Sequence, residues 1–185
     1  MEDSSETYDS KYFARYQRQA KTPIGRQLME RRVSFVEQHY LGTLVDVGIG
    51  SGAFVDLRNT TGRPTTGFDI NPAGVEWLRT RGLLTDPWQG VRAVSMWDVL
   101  EHMPDFDDLL KVVSEWVFVS IPTFVDGEHV LRSKHYRKDE HVWYFTISGL
   151  VDTLGSLGFV LVDMSDMETR LGREDIMTFA FRRQA

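Results

Sequence analysis

The sequence predicts an α/β fold with a mostly parallel sheet, and two observations support this prediction. The mostly apolar run Leu44–Val47 has the length of a short buried strand, and it is followed by alternating glycines and then by helix-forming residues 53–58. Strand-like and helix-like segments also alternate along the rest of the chain, which is typical of parallel strands joined by right-handed crossovers. A strand, a glycine turn and a helix in this order hold a nucleotide-like cofactor at the carboxyl end of the strand.

Composition narrows the classes of protein that fit. The chain has 185 residues, which is enough for one domain with a substantial core. Its formal net charge of −6 lowers the expectation of nucleic-acid binding, because such domains usually carry a basic surface. The sequence has no cysteine, which excludes disulfides, thiolate nucleophiles and cysteine-ligated zinc. No apolar run reaches the ~20 residues that span a bilayer, so we expect a cytoplasmic protein that does not insert into membranes.

The beginning of the chain is predicted to be helical. Tyr8, Tyr12 and Tyr16 recur at every fourth residue, a spacing that gives a helix an aromatic face. That face packs either on the core or over the cofactor as a lid. Thr22 and Pro23 then form a typical helix start. We therefore expect a helical segment or lid over residues 1–42 and a cofactor-binding domain over residues 43–185, within a single globular domain overall.

The glycine turn fits two classes of cofactor. Gly48, Gly50 and Ala53 have the spacing of the dinucleotide fingerprint, and Asp69 lies about 20 residues downstream, where an acid binds ribose hydroxyls. Asp46, however, precedes the turn, and a carboxylate there suits a cationic amino acid portion better than a pyrophosphate. The acid therefore favours a sulfonium cofactor over a dinucleotide.

The segment Asp46-x-Gly48-x-Gly50-x-Gly52 resembles the first motif of class I S-adenosylmethionine-dependent methyltransferases. The resemblance implies that Asp46 and the three glycines hold the amino acid portion of S-adenosylmethionine.

Two later segments supply the remaining predicted contacts to the cofactor. A second strand is predicted within residues 66–70, with its end at Asp69. A helix is predicted to start at Asn71. The resemblance implies that Asp69 binds the ribose, with Ile70 beside it. Residues 83–86 are predicted to form a third strand, after which Asp86 and Trp88 are implied to contact the adenine. A surface turn is the other interpretation of these last two residues.

A second motif follows the predicted fourth strand, residues 93–97. Leu100-Glu-His-x-Pro-Asp105 resembles a signature of a methyltransferase subgroup that includes the quinone-precursor O-methyltransferases. The resemblance adds Trp97 to the implied cofactor site. It also places His102 at the rim of that site, where an imidazole is suited to remove a proton near neutral pH. A histidine beside a carboxylate is also common as a purely structural pair.

Residues 123–144 are polar and show no regular periodicity. The spacing of the histidines in this segment matches no metal-ligand motif, so we expect no metal site. The segment is either a solvated loop or an insertion that contacts the substrate. The segment from His141 to Thr146 resembles the same subgroup and makes His141 a second candidate proton acceptor. The basic residues 132–138 and the aromatic pair Trp143 and Tyr144 leave a nucleotide or nucleic-acid substrate open.

The resemblance covers residues 44–182 and implies a class I methyltransferase fold. This fold is Rossmann-like, with a mostly parallel seven-stranded sheet, an antiparallel last strand and helices on both faces. The implied reaction moves a methyl group from S-adenosylmethionine to an oxygen or nitrogen, most readily of a small molecule, and leaves S-adenosylhomocysteine. Three alternatives stay open: a nucleotide or nucleic-acid methyltransferase, a catalytically idle cofactor-binding subunit, and a nicotinamide-dependent oxidoreductase. The sequence does not indicate an oligomeric state.

Overall fold

The computed structural model describes residues 10–184, with side chains from residue 13 onward. The described part of the chain divides into two compact units, one up to residue 89 and one from residue 90 onward. The strands belong to a six-stranded mixed sheet, so the predicted α/β class is confirmed. None of the helices in the described range is long and apolar enough to cross a membrane.

The first unit alternates helices with two parallel strands. β1 and β2 pair in a register that sets Asp46 opposite Gly67. A short 3₁₀ helix, Pro87–Gln89, ends the unit. The other elements, in chain order, are α1 (Ser10–Ala20), α2 (Pro23–Glu37), β1 (Leu44–Val47), α3 (Ala53–Thr60), β2 (Thr65–Phe68) and α4 (Pro72–Thr80).

The second unit contains four strands in the order β3-β4-β6-β5. β3 and β4 are parallel, whereas β6 runs antiparallel to both β4 and β5, as predicted for the end of the chain. A 3₁₀ helix, Leu100–His102, follows β3 directly. The elements are β3 (Val91–Trp97), α5 (Phe106–Val112), β4 (Val113–Pro122), α6 (Gly127–Arg132), α7 (Ile147–Ser156), β5 (Phe159–Ser165), α8 (Met167–Arg170) and β6 (Ile176–Arg183).

Side-chain caps begin several of the described helices, two of them at Thr22 and Asn71, where the sequence predicts helix starts. The Thr22 hydroxyl accepts a hydrogen bond from the backbone N–H of Gly25 at 3.0 Å. The Asn71 side chain accepts one from Ala73 at 2.9 Å, and Thr146 accepts one from Gly149 at 2.9 Å. Each cap satisfies a backbone donor that the first turn of a helix leaves unpaired.

The predicted third strand, residues 83–86, is wrong. Leu84 makes only an isolated bridge to Gly67, so residues 10–184 contribute six strands to the sheet and not the seven expected. The segment cannot continue as a strand because Asp86 accepts a hydrogen bond from the backbone of Trp88 at 3.0 Å and closes a turn. Pro87, inside that turn, has no N–H to donate to a neighbouring strand.

Residues 123–144 are also more ordered than the sequence predicts, because α6 forms within them. The Asp126 carboxylate caps this helix by accepting a hydrogen bond from the backbone N–H of His129 at 2.8 Å. The helix has six residues, which is too short to show an apolar periodicity in the sequence.

The predicted aromatic face of α1 can be followed only in part. Tyr8 and the side chain of Tyr12 lie outside the described residues. Phe13 is buried in a cluster with Ile49, Val55 and Leu78, so at this position the helix packs on the core of the first unit.

A buried arginine ties the first unit together. The Arg58 side chain on α3 has no exposed surface, and one of its nitrogens donates to the Thr65 hydroxyl at 2.9 Å. The other terminal nitrogen donates to the carbonyl oxygens of Tyr40 at 3.2 Å and Gly42 at 3.0 Å. These bonds fix the chain on both sides of β1, because they reach residues before it and residues at the start of β2.

We predict that Arg58→Met lowers the free energy of unfolding by about 3 kcal/mol, because it removes bonds to a charged group and leaves buried carbonyls unpaired. Arg79→Met is the matched control, since Arg79 lies in an exposed ion pair with Glu76 and its loss costs less than about 1 kcal/mol. Urea denaturation of both variants measures the difference. Equal losses would contradict the assigned role of Arg58.

Candidate active site

The turn after β1 adopts a backbone that favours glycine. Gly48, Gly50 and Gly52 have φ values of 73°, 55° and 75°, in the left-handed region where a Cβ atom is strained. The turn is closed by a hydrogen bond of 2.8 Å from the backbone N–H of Gly52 to the carbonyl of Ile49, and α3 begins at the next residue, Ala53. The predicted arrangement of strand, glycine turn and helix is therefore present.

Space is also limited at one of these glycines. A Cβ atom on Gly52 would lie 2.6 Å from the ring of Trp77, whereas one on Gly50 would meet only Tyr16, at 3.7 Å. Gly52 is therefore required for packing as well as for backbone conformation.

Asp46 is buried in β1 and only 1% exposed. Its side chain is thus enclosed by the fold and does not lie on an open surface of the turn. Its binding to the amino acid portion of a cofactor stays a prediction.

Asp69 follows β2 directly and lies against the glycine turn. Its carboxylate accepts a hydrogen bond from the backbone N–H of Asn71 at 2.8 Å. Burial raises the pKa of the Asp69 carboxyl, and hydrogen bonds from the backbone N–H groups of Asn71, Gly50, Ile70 and Ile49 oppose that rise. The acid lies beside the turn because the backbone N–H of Gly48 donates to the carbonyl of Phe68, the residue before Asp69, at 2.8 Å. The sequence shows the acid and the turn only as two motifs.

Two apolar side chains of the predicted cofactor site are at least partly exposed. Ile70 is 72% exposed. Trp88 is 37% exposed and packs edge-on against Phe68, the last residue of β2, with ring centroids 5.0 Å apart. Both oxygens of Asp86 accept hydrogen bonds within its own turn, from the backbone of Trp88 and the side chain of Gln89. The turn interpretation of Asp86 is thus supported, while Trp88 and Ile70 present apolar surface.

In the second unit, β3 ends at Trp97, which is buried. Asp98 then adopts a left-handed φ of 57° and forms an ion pair of 2.9 Å with Arg173. Arg173 also pairs with the fully buried Glu168. This network fixes the turn from which the 3₁₀ helix Leu100–His102 begins.

The structure brings His102 and His141 together, although they are far apart in the chain. Their rings are in edge contact, with centroids 4.5 Å apart. The backbone carbonyl of Glu101 accepts hydrogen bonds from the N–H groups of Val142 at 2.9 Å and Trp143 at 3.2 Å. These bonds hold the segment after His141 on the 3₁₀ helix and so fix the two imidazoles relative to each other.

The two rings differ in environment. His102 is half-buried, and its Nδ1 donates a hydrogen bond to the backbone carbonyl of Glu140 at 2.9 Å, which leaves Nε2 without a proton in the neutral ring. His141 is only 6% exposed. Burial, followed by the neighbouring His102, lowers the pKa of His141 to about 4, so His141 is uncharged near neutral pH.

Glu101 joins this cluster, although the sequence did not single it out as a site residue. Its side chain is 1% exposed. Burial, followed by the nearby charge of Asp98, raises the pKa of the Glu101 carboxyl well above its usual range. The sequence signal for Glu101 is its position next to His102 in the second motif. A carboxylate beside a histidine is also typical of a purely structural pair.

The other histidines of residues 123–144 lie apart from this cluster. His129 lies 3.4 Å from a carboxylate oxygen of Asp175, and the Nε2 atom of His135 is 2.8 Å from the backbone carbonyl of Glu174. Of the three, only His141 reaches Glu101 and His102.

Residues 13–164 match the model of a methyltransferase domain family. The chain therefore belongs to this methyltransferase domain family. No curated protein sequence matches the chain.

Several solved structures share the fold. Magnesium protoporphyrin IX methyltransferase from Synechocystis PCC 6803 with bound S-adenosylhomocysteine is 17% identical, with a TM-score of 0.73 over 97% of this chain and 98% of that chain. A putative methyltransferase in complex with the Trm112 activator from Haloferax volcanii is 14% identical, with a TM-score of 0.68 and full coverage (100%) of both chains. The 1,6-didemethyltoxoflavin-N1-methyltransferase of Burkholderia thailandensis is 16% identical, with a TM-score of 0.64 over 95% of this chain and 87% of that chain. The predicted Rossmann-like class I methyltransferase fold is confirmed.

We predict that Gly52→Ala lowers the free energy of unfolding by about 3 kcal/mol, since it adds both backbone strain and a clash with Trp77. Gly62→Ala is the control, because Gly62 has a similar φ of 76° but nothing within 4 Å of a Cβ atom. The control isolates the backbone cost, about 1 kcal/mol. Chemical denaturation of the two variants provides the comparison, and equal losses would show that the contact with Trp77 does not matter.

Proposed function

We propose that this chain is an S-adenosylmethionine-dependent methyltransferase that acts on an oxygen or nitrogen of a small-molecule acceptor. The observation that carries the proposal is the position of Asp69 directly after β2, beside the glycine turn that follows the paired strand β1 and is bonded to the end of β2 through Gly48 and Phe68. Membership of the methyltransferase family favours this cofactor over a dinucleotide, although the glycine spacing alone fits both.

The residues of the first unit fit the cofactor. The glycine turn lets a ligand lie against the backbone, and Asp69 offers a carboxylate that can accept hydrogen bonds from ribose hydroxyls. The exposed side chain of Ile70 and the partly exposed ring of Trp88 offer apolar surface to the adenine. The solved relatives with bound S-adenosylhomocysteine support the same cofactor.

The second unit supplies candidate groups for the acceptor. When bound, S-adenosylmethionine supplies a methyl group, whose bond to sulfur breaks with its electron pair left on sulfur as the acceptor atom forms the new bond. His102 is the better candidate to take the acceptor's proton, because its Nε2 is unprotonated in the neutral ring and the side chain is half-exposed. His141 is buried beside it and is proposed to position that ring.

Charge in residues 128–140 favours a small molecule over a nucleic acid. Three of the basic side chains that are compatible with a nucleic-acid substrate lie close to carboxylates. Arg132 is 3.9 Å from Glu128, Lys134 is 3.3 Å from Glu174 and Arg137 is 2.9 Å from Glu140. A strongly positive patch, as nucleic-acid binding requires, therefore does not form from these three residues.

Calorimetric titration with S-adenosylhomocysteine, with NAD and NADP as parallel ligands, tests the cofactor assignment. We expect saturable binding of S-adenosylhomocysteine alone. Binding of a dinucleotide, or of none of the three ligands, would overturn the assignment. Transfer of labelled methyl from S-adenosylmethionine to pools of small metabolites and to RNA then separates the two acceptor classes.

We predict that Asp69→Asn weakens binding of S-adenosylhomocysteine by about 10- to 100-fold, as expected for the loss of hydrogen bonds to a charged group. The folded-state pKa of Asp69 is raised, so its contribution to stability is complete below the unfolded pKa and is lost as the pH rises through the folded pKa. Near neutral pH the variant without the charge should therefore unfold no more readily than the native protein.

Asp56→Asn is the control for this variant. Burial raises the pKa of Asp56 as well, with Arg81 opposing the rise, but Asp56 lies on α3 and has no predicted contact with the cofactor. Its affinity for S-adenosylhomocysteine should equal that of the native chain. Unchanged affinity in the Asp69 variant would remove this residue from the ribose site.

We predict that His102→Gln lowers the rate of methyl transfer by about 100-fold or more, the usual contribution of a general base, while affinity for S-adenosylhomocysteine stays within about twofold. His135→Gln is the control, because that ring is bonded to the Glu174 carbonyl outside the cluster. Single-turnover transfer to an acceptor found in the labelling screen measures the rate. Full activity of the His102 variant would exclude its proposed role.

A further inference from the structure

We propose that Glu101, His102 and His141 bind a divalent transition-metal ion. Each residue offers one ligand atom, and these atoms all lie within 4.8 Å of one another. Two imidazoles and one carboxylate are a ligand set suited to zinc and its first-row neighbours. All three residues belong to the second unit.

Two polar atoms of the cluster are buried without a hydrogen-bond partner: Oε2 of Glu101 and Nδ1 of His141. Buried side-chain polar atoms are nearly always hydrogen-bonded, and an unpaired buried carboxylate is especially unfavourable. If Glu101 and His141 formed only a structural pair, a hydrogen bond between these two atoms would satisfy both of them. A cation bound between the side chains would supply the partner that both atoms lack.

Backbone contacts orient the ligands, as they do in established metal sites. The Nδ1 of His102 donates to the carbonyl of Glu140 at 2.9 Å, which leaves Nε2 as the atom that can bind a cation. Metal-binding histidines usually make this second bond, which fixes the ring and its tautomer. The bonds from Val142 and Trp143 to the Glu101 carbonyl hold the segment that carries His141.

The ligand set also indicates the kind of ion and of site. Bonds of about 2.0–2.2 Å to zinc place neighbouring ligand atoms roughly 3.3 Å apart, so small side-chain rotations would close the present spacing. Mg²⁺ and Ca²⁺ prefer oxygen ligands throughout, and two imidazoles disfavour them. Three protein ligands leave a coordination position open, which is characteristic of catalytic sites and not of structural ones.

One consequence rests on the proposed function. An acceptor hydroxyl bound at the open position would lose its proton to solvent more readily, because a coordinated cation lowers the pKa of a bound O–H group. The ion, and not the free His102 ring, would then activate the acceptor. Metal binding and proton removal exclude each other because both use Nε2 of His102. Binding of the ion itself does not depend on this consequence.

The test is titration of the full chain, without a polyhistidine tag and after treatment with a chelator, with Zn²⁺, Mn²⁺ and Mg²⁺. We expect one Zn²⁺ per chain and binding of Mg²⁺ at least 100-fold weaker. Glu101→Gln and His141→Ala should each weaken Zn²⁺ binding by 100-fold or more. His135→Ala, a histidine of the same segment outside the cluster, should bind Zn²⁺ as the native chain does.

Circular dichroism and titration with S-adenosylhomocysteine on the same samples separate the outcomes. Loss of Zn²⁺ binding in a folded variant that still binds S-adenosylhomocysteine supports the site. If Glu101→Gln does not fold, His102→Ala at the half-exposed ring makes the same comparison. Absence of stoichiometric Zn²⁺ binding by the native chain, or an equal loss in His135→Ala, would overturn the proposal. Failure to bind S-adenosylhomocysteine would instead count against the proposed function.

Discussion

The candidate catalytic cluster depends on the backbone carbonyl of Glu101. This oxygen accepts hydrogen bonds from both Val142 and Trp143, and the indole N–H of Trp143 donates to the carbonyl of Met103 at 2.9 Å. Segments that are about forty residues apart in the chain are thereby held in contact. Because the anchoring groups are mostly backbone atoms, the contact of His102 with His141 does not require a direct bond between their side chains.

Most of the fold could be predicted because local chemistry determines it. Thr22 and Asn71 cap helices as expected, and the glycine turn needs a backbone that only glycine adopts easily. The strand predicted at residues 83–86 failed for an equally local reason. Its apolar residues fit a strand, but the turn closed by Asp86 ends the pairing after a single bridge, and alternation alone does not show where pairing ends.

The candidate site was predictable only in part. The sequence predicts both His102 and His141 as candidate proton acceptors, but from two separate motifs. Their contact could not be predicted, because no spacing rule relates residues that tertiary structure brings together. Glu101 was left out for the same reason, since its burial and its unpaired oxygen exist only in the folded chain. On the cofactor side, the second strand was predicted to end at Asp69 and ends one residue earlier, at Phe68, while the hydrogen bond of Asp69 with the backbone of Asn71 could not be read from sequence distance.

The hydrogen bonds to the Glu101 carbonyl divide the segment between β4 and α7 into two parts, one that is bonded to the 3₁₀ helix and an earlier one that is not. Its last part, from Glu140 to Trp143, is fixed on the 3₁₀ helix, while α6 contributes no ligand to the cluster. The earlier part of the segment can therefore change in length and side chains without moving the histidines.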